Sequence, residues 1–280
     1  MIIIFSMKRK ALLQIVFIVV LLFLSTGALG QQMAKETDAW QFGVSIYGWF
    51  PDISGETSFT QPGGGSEFKI DIDDILDNLK FTLMGTFDVR KGRWGLLNDV
   101  IYMEVGDSET GTRNATIGRR ALPVNATADI DFDMESWIWT IAGYYQALNK
   151  SGFALDVLAG ARYLDVEQKV NWDITGDVAS IPAIDRSGDA KADLSNWDAV
   201  IGARGRYAFG ANKTWFVPYY LDLGTGDSDF TWQGVAGLGY AFRWLEVAAV
   251  WRYLYYDLPS DKAIRDVNFS GPAIGATFRW

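Results

Sequence analysis

The chain has 280 residues, of which 49% are hydrophobic and 15% aromatic, and its formal net charge is −9. Its mean hydropathy of +0.04 excludes a bundle of membrane helices but not a membrane barrel, because only every second residue of a barrel strand faces lipid. The acidity argues against a nucleic-acid partner, and the absence of cysteine excludes disulfides, thiolate metal sites and a lipid-modified cysteine anchor.

The first 30 residues are predicted to be a signal peptide that precedes a barrel domain over 31–280. Lys8, Arg9 and Lys10 form a basic segment, 15–24 is almost uninterruptedly apolar, and Ala28-Leu29-Gly30 is a typical cleavage site. The alternative is an uncleaved inner-membrane anchor, although the apolar run is short against the ~20 residues of a bilayer span. Cleavage would leave 22 of the 25 basic residues and all 34 acidic ones, a net charge of −12.

From residue 39 onward the hydrophobic residues recur with a period of two, which is typical of half-buried strands. This pattern predicts an all-β fold: a single antiparallel up-and-down transmembrane β-barrel of about ten strands, with eight or twelve as alternatives. Residue pairs at Leu96-Leu97 and Tyr144-Tyr145 break the alternation and suggest either bulges or a register that the pattern does not define. The ten predicted strands are 39–50, 79–90, 93–105, 129–147, 152–167, 196–209, 214–224, 229–243, 245–255 and 273–280.

The lengths of the connections predict the orientation of this barrel. Short turns near 91–92, 149–152, 210–213 and 243–244 alternate with polar segments, the longest of which are 51–78, 106–128 and 168–195. Bacterial outer-membrane barrels keep short turns on the periplasmic side and long loops outside. The sequence therefore predicts an outer-membrane location.

The alternative is a soluble periplasmic binding barrel of the lipocalin kind, or a sandwich, with the apolar face inside. Alternation alone does not separate the two. The signal peptide, the terminal Trp280, the aromatic strand ends and the loop asymmetry favour the membrane barrel.

Four segments resemble an uncharacterised family of proteobacterial outer-membrane β-barrel proteins. They are Tyr47-Gly48-Trp49-Phe50-Pro51 with Ile53-Ser54-Gly55, then Asp73–Leu79 with Phe81–Gly85, then Arg90–Gly95 with Asp99–Tyr102, and finally Gly271–Gly275 before Phe278-Arg279-Trp280. The resemblance implies a Gram-negative outer-membrane barrel and no particular activity. It also implies that Phe278 and Trp280 form the terminal signal read by the barrel-assembly machinery, although Trp280 replaces the usual terminal phenylalanine.

The residue types argue against an enzyme and predict no cofactor. Known outer-membrane barrel enzymes resemble one another in using a histidine base, and this chain has no histidine. Gly63-Gly64-Gly65 lacks the lysine of a phosphate loop. Asp71, Asp73, Asp74 and Asp77 could bind a divalent cation, shared with lipopolysaccharide in one variant, but their spacing favours a solvated loop with a short helical turn and no metal site.

A network of charges is predicted to face the barrel lumen, with acids and bases nearly balanced. Mutual pairing would offset the cost of burying them. The network is interpreted as a salt-bridged plug, with a polar path for small solutes as the alternative. Asp99 joins the predicted network, whose other members are Asp88, Arg90, Glu135, Asp156, Arg162, Asp198, Arg204, Arg206, Asp222, Arg243, Glu246, Arg252 and Arg279.

The function predicted from these observations is a non-enzymatic outer-membrane protein with a structural or surface-loop binding role. A narrow, porin-like channel for small polar or ionic solutes is the alternative, because a barrel of about ten strands is far narrower than an open porin. The expected partners are outer-membrane lipid and lipopolysaccharide, and the barrel-assembly machinery during insertion.

Overall fold

The computed structural model describes residues 39–57, 67–70, 72–111, 116–117, 120–121, 126–176, 186–260, 262 and 264–280. The predicted signal peptide and the Gly63-Gly64-Gly65 loop lie outside these residues. One short helix, α1, covers Ile72–Asp77. The strands are β1 Trp40–Trp49, β2 Asp52–Thr57, β3 Glu67–Ile70, β4 Leu79–Lys91, β5 Trp94–Gly111, β6 Thr116–Ile117, β7 Arg120–Ala121, β8 Ala126–Lys150, β9 Phe153–Gly176, β10 Arg186–Phe209, β11 Trp215–Gly226, β12 Phe230–Ala241, β13 Glu246–Asp257 and β14 Ile264–Arg279.

Ten of these strands close into an antiparallel barrel, as the sequence predicts. Each pairs with its neighbours in the order β1-β4-β5-β8-β9-β10-β11-β12-β13-β14, and β14 pairs back to β1 from Gly43↔Arg279 to Trp49↔Ala273. The β2–β3 hairpin extends the sheet from the first half of β14, and β6 and β7 pair only with each other. Closure leaves the barrel strands without free edges over the height of β1.

The two ends of the barrel differ in their connections. Four tight turns, together with the start of β1 and the finish of β14, lie at one end, which we name the turn end. Gly92, Gly152 and Gly210 have positive φ in three of these turns, a conformation that costs glycine little, and Lys213 has φ 53°. The opposite end, named the loop end, carries α1, the β2–β3 hairpin and the longer connections.

Several strands extend beyond their predicted limits at the loop end. Segments 106–128 and 168–195 were predicted as long polar loops, yet β5 runs to Gly111, β8 begins at Ala126, and β9 and β10 pair from Tyr207↔Phe153 to Arg186↔Ile174. Strand pairing needs only backbone groups. Where both faces of a strand meet water, polar side chains remain compatible with it, and the apolar alternation that marks a strand disappears.

A register irregularity lies close to one of the two residue pairs that suggested it and is absent at the other. The pairing of β8 with β9 shifts between Gln146 and Leu148, close to the predicted bulge at Tyr144-Tyr145. The pairing of β5 continues without a shift through Leu96-Leu97. Leu97 points into the lumen and packs against Tyr144.

The outer surface carries two rings of aromatic side chains. Trp94 and Tyr102 both face outward on β5, and their eight-residue separation corresponds to about 20 Å along the axis of a tilted barrel. This height is close to the ~25 Å apolar band of an outer-membrane barrel. The turn-end girdle comprises Trp40, Phe42, Trp94, Tyr145, Phe153, Tyr207, Phe209, Trp215, Tyr240, Phe242, Trp244, Phe278 and Trp280. The loop-end girdle comprises Phe81, Tyr102, Trp137, Trp139, Tyr163, Trp197, Trp232 and Tyr253.

The band between the girdles is apolar and exposed. Ile201 is 66% exposed and Leu238 46% exposed, whereas Arg252 on the opposite face of the wall is 5% exposed. A soluble barrel of the lipocalin kind would show the reverse arrangement. The structure therefore disfavours the soluble alternative and has the side-chain orientation of a transmembrane barrel.

Helix α1 belongs to the loop end, and the part of the chain that the structure describes contains no helix long and apolar enough to cross a membrane. Its first backbone N–H, from Ile72, donates to Asp52 Oδ1 at 3.0 Å, and Ile75 is buried inside the barrel. The helix agrees with the helical turn predicted near the acidic loop. Asp71 and the side chain of Asp74 lie outside the described part, within which no three acidic side chains converge on a metal position.

Candidate functional site

The lumen contains most of the buried charge of the described chain. At the turn end Glu246 accepts hydrogen bonds from two arginines, Arg206 on β10 and Arg279 on β14, the latter at 3.1 Å from Nε to Oε2. Glu246 is buried, while Arg279 remains half exposed. Two cations therefore share one carboxylate at the entrance, which leaves this group net positive.

A second group of charged side chains lies closer to mid-height, on β4, β9 and β10. Arg204 donates to Asp88 and, at 3.3 Å, to Asp156, and its guanidinium lies 4.1 Å from the centre of the Tyr144 ring. The Tyr144 hydroxyl donates to Asp88 at 2.9 Å. One cation is thus held by two carboxylates and an aromatic face, an arrangement that fixes the guanidinium from three sides.

Near mid-height Arg252 and Asp99 form an ion pair at 2.9 Å. Asp99 also accepts hydrogen bonds from the Tyr47 hydroxyl at 2.7 Å and from Thr86 Oγ1 at 2.9 Å. Arg252 donates further to Gln233 Oε1 at 2.8 Å. Dense hydrogen bonding of this kind is what allows a charged pair to persist in a buried position.

The most deeply buried pair joins Arg162 on β9 to Asp222 on β11, with both side chains fully inaccessible. The Tyr220 hydroxyl donates to Asp222 at 2.5 Å, and Arg162 Nε donates to Thr140 Oγ1 at 3.2 Å. These contacts link β8, β9 and β11 across the lumen. The pair therefore acts as a cross-brace inside the wall.

The lumen charges described by the structure are balanced. Asp99, added to the predicted network, makes the sixth acid, so that six acids face six arginines. The acids are Asp88, Asp99, Asp156, Asp198, Asp222 and Glu246, and the arginines are Arg90, Arg162, Arg204, Arg206, Arg252 and Arg279.

Two members of the predicted set have partners outside the ion pairs. Arg90 donates through Nε to Gln41 Oε1 at 3.1 Å. Asp198 is buried and accepts two hydrogen bonds from Ser228, one from its backbone N–H and one from its hydroxyl, each at 2.9 Å. Asp198 therefore holds the β11–β12 connection over the loop end of the lumen.

Two other predicted members do not face the lumen. Glu135 is on the outward face of β8, on the same side as Trp137, and accepts a hydrogen bond from the outward-facing Tyr102 hydroxyl at 2.9 Å. The register shift near Gln146 reverses the parity that places Glu135 inside. Arg243 lies exposed in the β12–β13 turn, because β12 ends at Ala241 and the inward alternation ends with it.

A large apolar cluster lies in the loop-end half of the lumen, beside buried polar residues such as Asn196 and Asp198, and the charge pattern did not predict it. Side chains from the barrel wall, the β2–β3 hairpin and α1 meet in one buried cluster, which we name the apolar plug. Leu164, Leu254 and Tyr256 are fully inaccessible within it. Its buried members are Trp49, Ile53, Ile75, Met84, Ile101, Met103, Val105, Ile138, Leu164, Leu194, Leu254, Tyr256, Leu258, Val267, Phe269 and Ala273.

A cavity of about 280 Å³ occupies the turn-end half of the lumen below the apolar plug. It extends from Glu246 and Arg279 at the entrance to Arg252 and Asp99 at mid-height, and apolar side chains such as Val250 form part of its wall. The cavity, with its charged groups, thus lies toward the turn end, and the apolar plug lies toward the loop end.

The predicted assembly-signal residues lie in the turn-end girdle. Phe278 is exposed and its ring stacks on Trp244 with centroids 6.0 Å apart. Trp280 exchanges backbone hydrogen bonds with Phe42 and stacks on its ring at 5.9 Å. Both rings face outward from the last strand.

Comparison with known proteins gives a likeness of fold and no sequence relative. No family model matches the chain and no curated protein matches it, so the resemblance to the uncharacterised family stays a prediction. Among solved structures, the outer membrane protease OmpT of Escherichia coli aligns with a TM-score of 0.48 at 9% identity, over 89% of this chain and 99% of that one.

Two further solved structures are similar over most of their length. The translocator domain of the autotransporter NalP of Neisseria meningitidis has a TM-score of 0.41 at 12% identity, over 98% of this chain and 97% of that one. The toluene transporter TodX of P. putida has a TM-score of 0.31 at 11% identity, over 87% and 90%. Identities this low concern the course of the backbone and not the function.

Proposed function

We propose that this chain is a non-enzymatic, non-conducting protein of the bacterial outer membrane with a structural or surface-binding role. The observation that carries the proposal is the apolar plug, which fills the loop-end half of the lumen with inaccessible side chains. Paired charges beside and below it brace the wall from inside. A polar solute entering from the turn end would have to pass packed apolar side chains that do little to replace its hydration.

The girdles support the membrane placement. The two girdles of aromatic side chains lie about 20 Å apart with an exposed apolar band between them, which matches the height of the apolar band of an outer-membrane barrel. Short turns face the periplasm in such barrels, so we assign the turn end to the periplasm and the loop end to the outside. Outer-membrane lipid and lipopolysaccharide then surround the wall, and the assembly machinery would read the last strand with Phe278 and Trp280.

The absence of any enzymatic role is supported by the residue types. The sequence has neither histidine nor cysteine, which removes the usual general base and the thiol nucleophile. The lumen carboxylates Asp88, Asp99, Asp222 and Glu246 each accept a hydrogen bond from an arginine, which links strands of the barrel wall.

Outside the membrane the paired strands β8 and β9 continue past the loop-end girdle. From Trp137 to Ala126 they add 11 residues, which is about 36 Å of strand. This wall and the β2–β3 hairpin are the surfaces on which a binding role would act.

The test is a planar-bilayer recording of the protein refolded in detergent, with folding checked by heat-modifiable gel mobility. We expect no single-channel steps at physiological voltages. Steady steps of uniform size would contradict the plug and favour the alternative of a narrow channel for small ions. Turnover of labelled lipid or lipopolysaccharide by the same preparation, lost on substitution of a lumen carboxylate, would contradict the non-enzymatic assignment.

A further inference from the structure

The four turns at the turn end share one feature of composition. Each contains at least one cation and none contains an acidic residue, although the whole protein has a net charge of −9. We name these cations the basic collar. Its members are Lys91, Arg93, Lys150, Lys213 and Arg243.

Each collar cation is within three residues of an outward-facing aromatic of the turn-end girdle in sequence. Arg243 lies between Phe242 and Trp244, both exposed. Lys91 Nζ is 5.6 Å from the centre of the Trp40 ring, and the Arg93 guanidinium is 5.7 Å from that of Tyr145. Because these rings face outward, they hold Lys91 and Arg93 against the lipid side of the wall rather than over the lumen.

Girdle aromatics occupy the level of the lipid headgroups, where their polar edges meet water and their faces meet acyl chains. A cation held beside such a ring is therefore at the depth of the lipid phosphates. Lysine attracts a phosphate as a point charge, and arginine can donate to two of its oxygens. The collar has the charge, depth and orientation that phosphate headgroups require.

The loop end has the opposite character. Its β11–β12 connection carries Asp227 and Asp229, and Asp73 and Asp77 are exposed on α1. Cations are present at the loop end as well, but Lys80 and Arg265 are paired there with carboxylates, whereas the turns at the turn end contain no acidic residue. The proposed function places the turn end, and with it the basic collar, on the periplasmic side.

We propose that the basic collar is a binding surface for anionic phospholipids of the inner leaflet of the outer membrane, through their phosphate headgroups. The inference rests on the proposed membrane placement. An exposed cation near an anionic membrane surface contributes roughly 1 kcal/mol, which corresponds to about a five-fold preference for an anionic over a zwitterionic lipid at each contact.

The experiment measures this preference by quenching of tryptophan fluorescence in mixed vesicles of phosphatidylglycerol and phosphatidylcholine, with one of the two lipids brominated. Trp40, Trp94 and Trp244 are exposed in the girdle and act as reporters. We expect the wild-type chain to prefer phosphatidylglycerol about five-fold. The preference should fall to near unity in 0.5 M NaCl, since salt screens exposed charges.

Two variants with equal loss of charge locate the site. Lys213 is left unchanged because its ammonium bonds to Ser151 and its backbone has positive φ. The collar variant is Lys91→Gln, Arg93→Gln, Lys150→Gln and Arg243→Gln. The loop-end control variant is Lys69→Gln, Lys80→Gln, Lys169→Gln and Arg265→Gln.

We expect the collar variant to lose most of the preference and the control variant to keep it. Equal loss in both variants, or no preference in the wild type, would overturn the collar as a lipid site. Displacement of brominated phosphatidylglycerol by soluble peptidoglycan fragments would overturn it in favour of the cell wall. If the collar variant fails to fold, the wild-type protein still provides a test: a preference for phosphatidylglycerol that persists in 0.5 M NaCl would overturn the electrostatic site. If the wild-type barrel conducts ions and still prefers phosphatidylglycerol, the non-conducting function is contradicted while the lipid site stands.

Discussion

The buried ion pairs link strands of the barrel wall. Their contribution to stability depends on both partners of each pair being present. An ion pair that is fully removed from water gains little net energy, because desolvation offsets the attraction, whereas one charge left alone is costly. Arg162 and Asp222 are both fully inaccessible and contact β8 and β11 through Thr140 and Tyr220. Removing one partner is therefore a sharper test than removing both.

Arg162→Met is expected to lower the free energy of unfolding by about 3–5 kcal/mol, because it leaves Asp222 charged and unpaired in the wall. The double variant Arg162→Met with Asp222→Leu should recover most of this loss. Urea unfolding in lipid vesicles, followed by heat-modifiable gel mobility, measures both. Arg265→Met, at a half-exposed pair with Glu56, is the control and should change stability by less than about 0.5 kcal/mol. Equal destabilisation by the single and double variants would refute the pairing argument.

Asp266 lies on β14 at the loop end. It is four residues beyond Ser270, which pairs with Tyr253 of the loop-end girdle. Partial burial raises the pKa of Asp266, the Glu56 backbone N–H opposes the rise, and the nearby carboxylates of Glu56 and Asp257 add to it. A raised pKa means that the folded chain binds this proton more tightly than the unfolded chain. Stability from this group is thus present at acid pH and is lost as pH rises through the folded pKa.

Asp266→Asn should therefore stabilise the protein at pH 7 and lose this advantage below the ordinary range of a carboxyl pKa. The amide can still accept the Glu56 hydrogen bond, so the change isolates the charge. Urea midpoints measured at pH 7 and pH 3.5 give the result, and Asp229→Asn, exposed in the β11–β12 connection, is the control. A variant that is less stable than wild type at pH 7 would disprove the expectation.

Among the elements, the inward and outward faces of neighbouring strands meet different surroundings. Leu254 on β13 is fully inaccessible among plug residues, while Leu238 on β12 faces lipid. Leu254→Ala should cost about 2–5 kcal/mol of unfolding free energy, because the packed plug cannot collapse onto the missing atoms. Leu238→Ala should cost clearly less, since fluid acyl chains fill the space. Similar losses at both positions would show that the loop-end lumen is not packed.

The same elements show what alternation can and cannot predict. Between the girdles one face of β13 meets lipid and the other meets charges, so that Trp251 and Arg252 were assigned correctly to the two sides. Beyond the loop-end girdle this difference between an apolar outward face and a charged inward face is lost. The inward face becomes apolar at Leu254, and the outward face meets water. The plug is therefore invisible to a pattern that counts apolar residues as lipid-facing.

Register errors have a separate physical origin. The shift between Gln146 and Leu148 reverses the assignment of every residue counted through it, and Glu135 was misplaced for this reason. A bulge leaves little trace in one sequence because both faces of β8 contain aromatics there. The partners Tyr144 and Asp99 were equally hard to place, since both lie on the strands whose alternation is least regular.

At the scale of the whole molecule, the two ends of the barrel differ in length, charge and filling. The turn end is short, basic and open to a cavity, while the loop end is long, acidic and sealed. The closing pair β1–β14 joins residues from the two ends of the barrel domain, so that the Arg252–Asp99 ion pair between β13 and β5 depends on closure of the sheet. The apolar plug, the buried ion pairs and the β1–β14 pairing are therefore expected to form and unfold together.

This asymmetry predicts a single orientation in the membrane that can be measured without background, because the chain has no cysteine. Asp229→Cys places a thiol in the exposed β11–β12 connection at the loop end, and Asn212→Cys places one in the exposed β10–β11 turn. In intact Gram-negative cells a membrane-impermeant maleimide should label position 229 and spare position 212. Permeabilising the outer membrane should then expose position 212. Labelling of position 212 in intact cells would reverse the assigned orientation and with it the leaflet that the basic collar contacts.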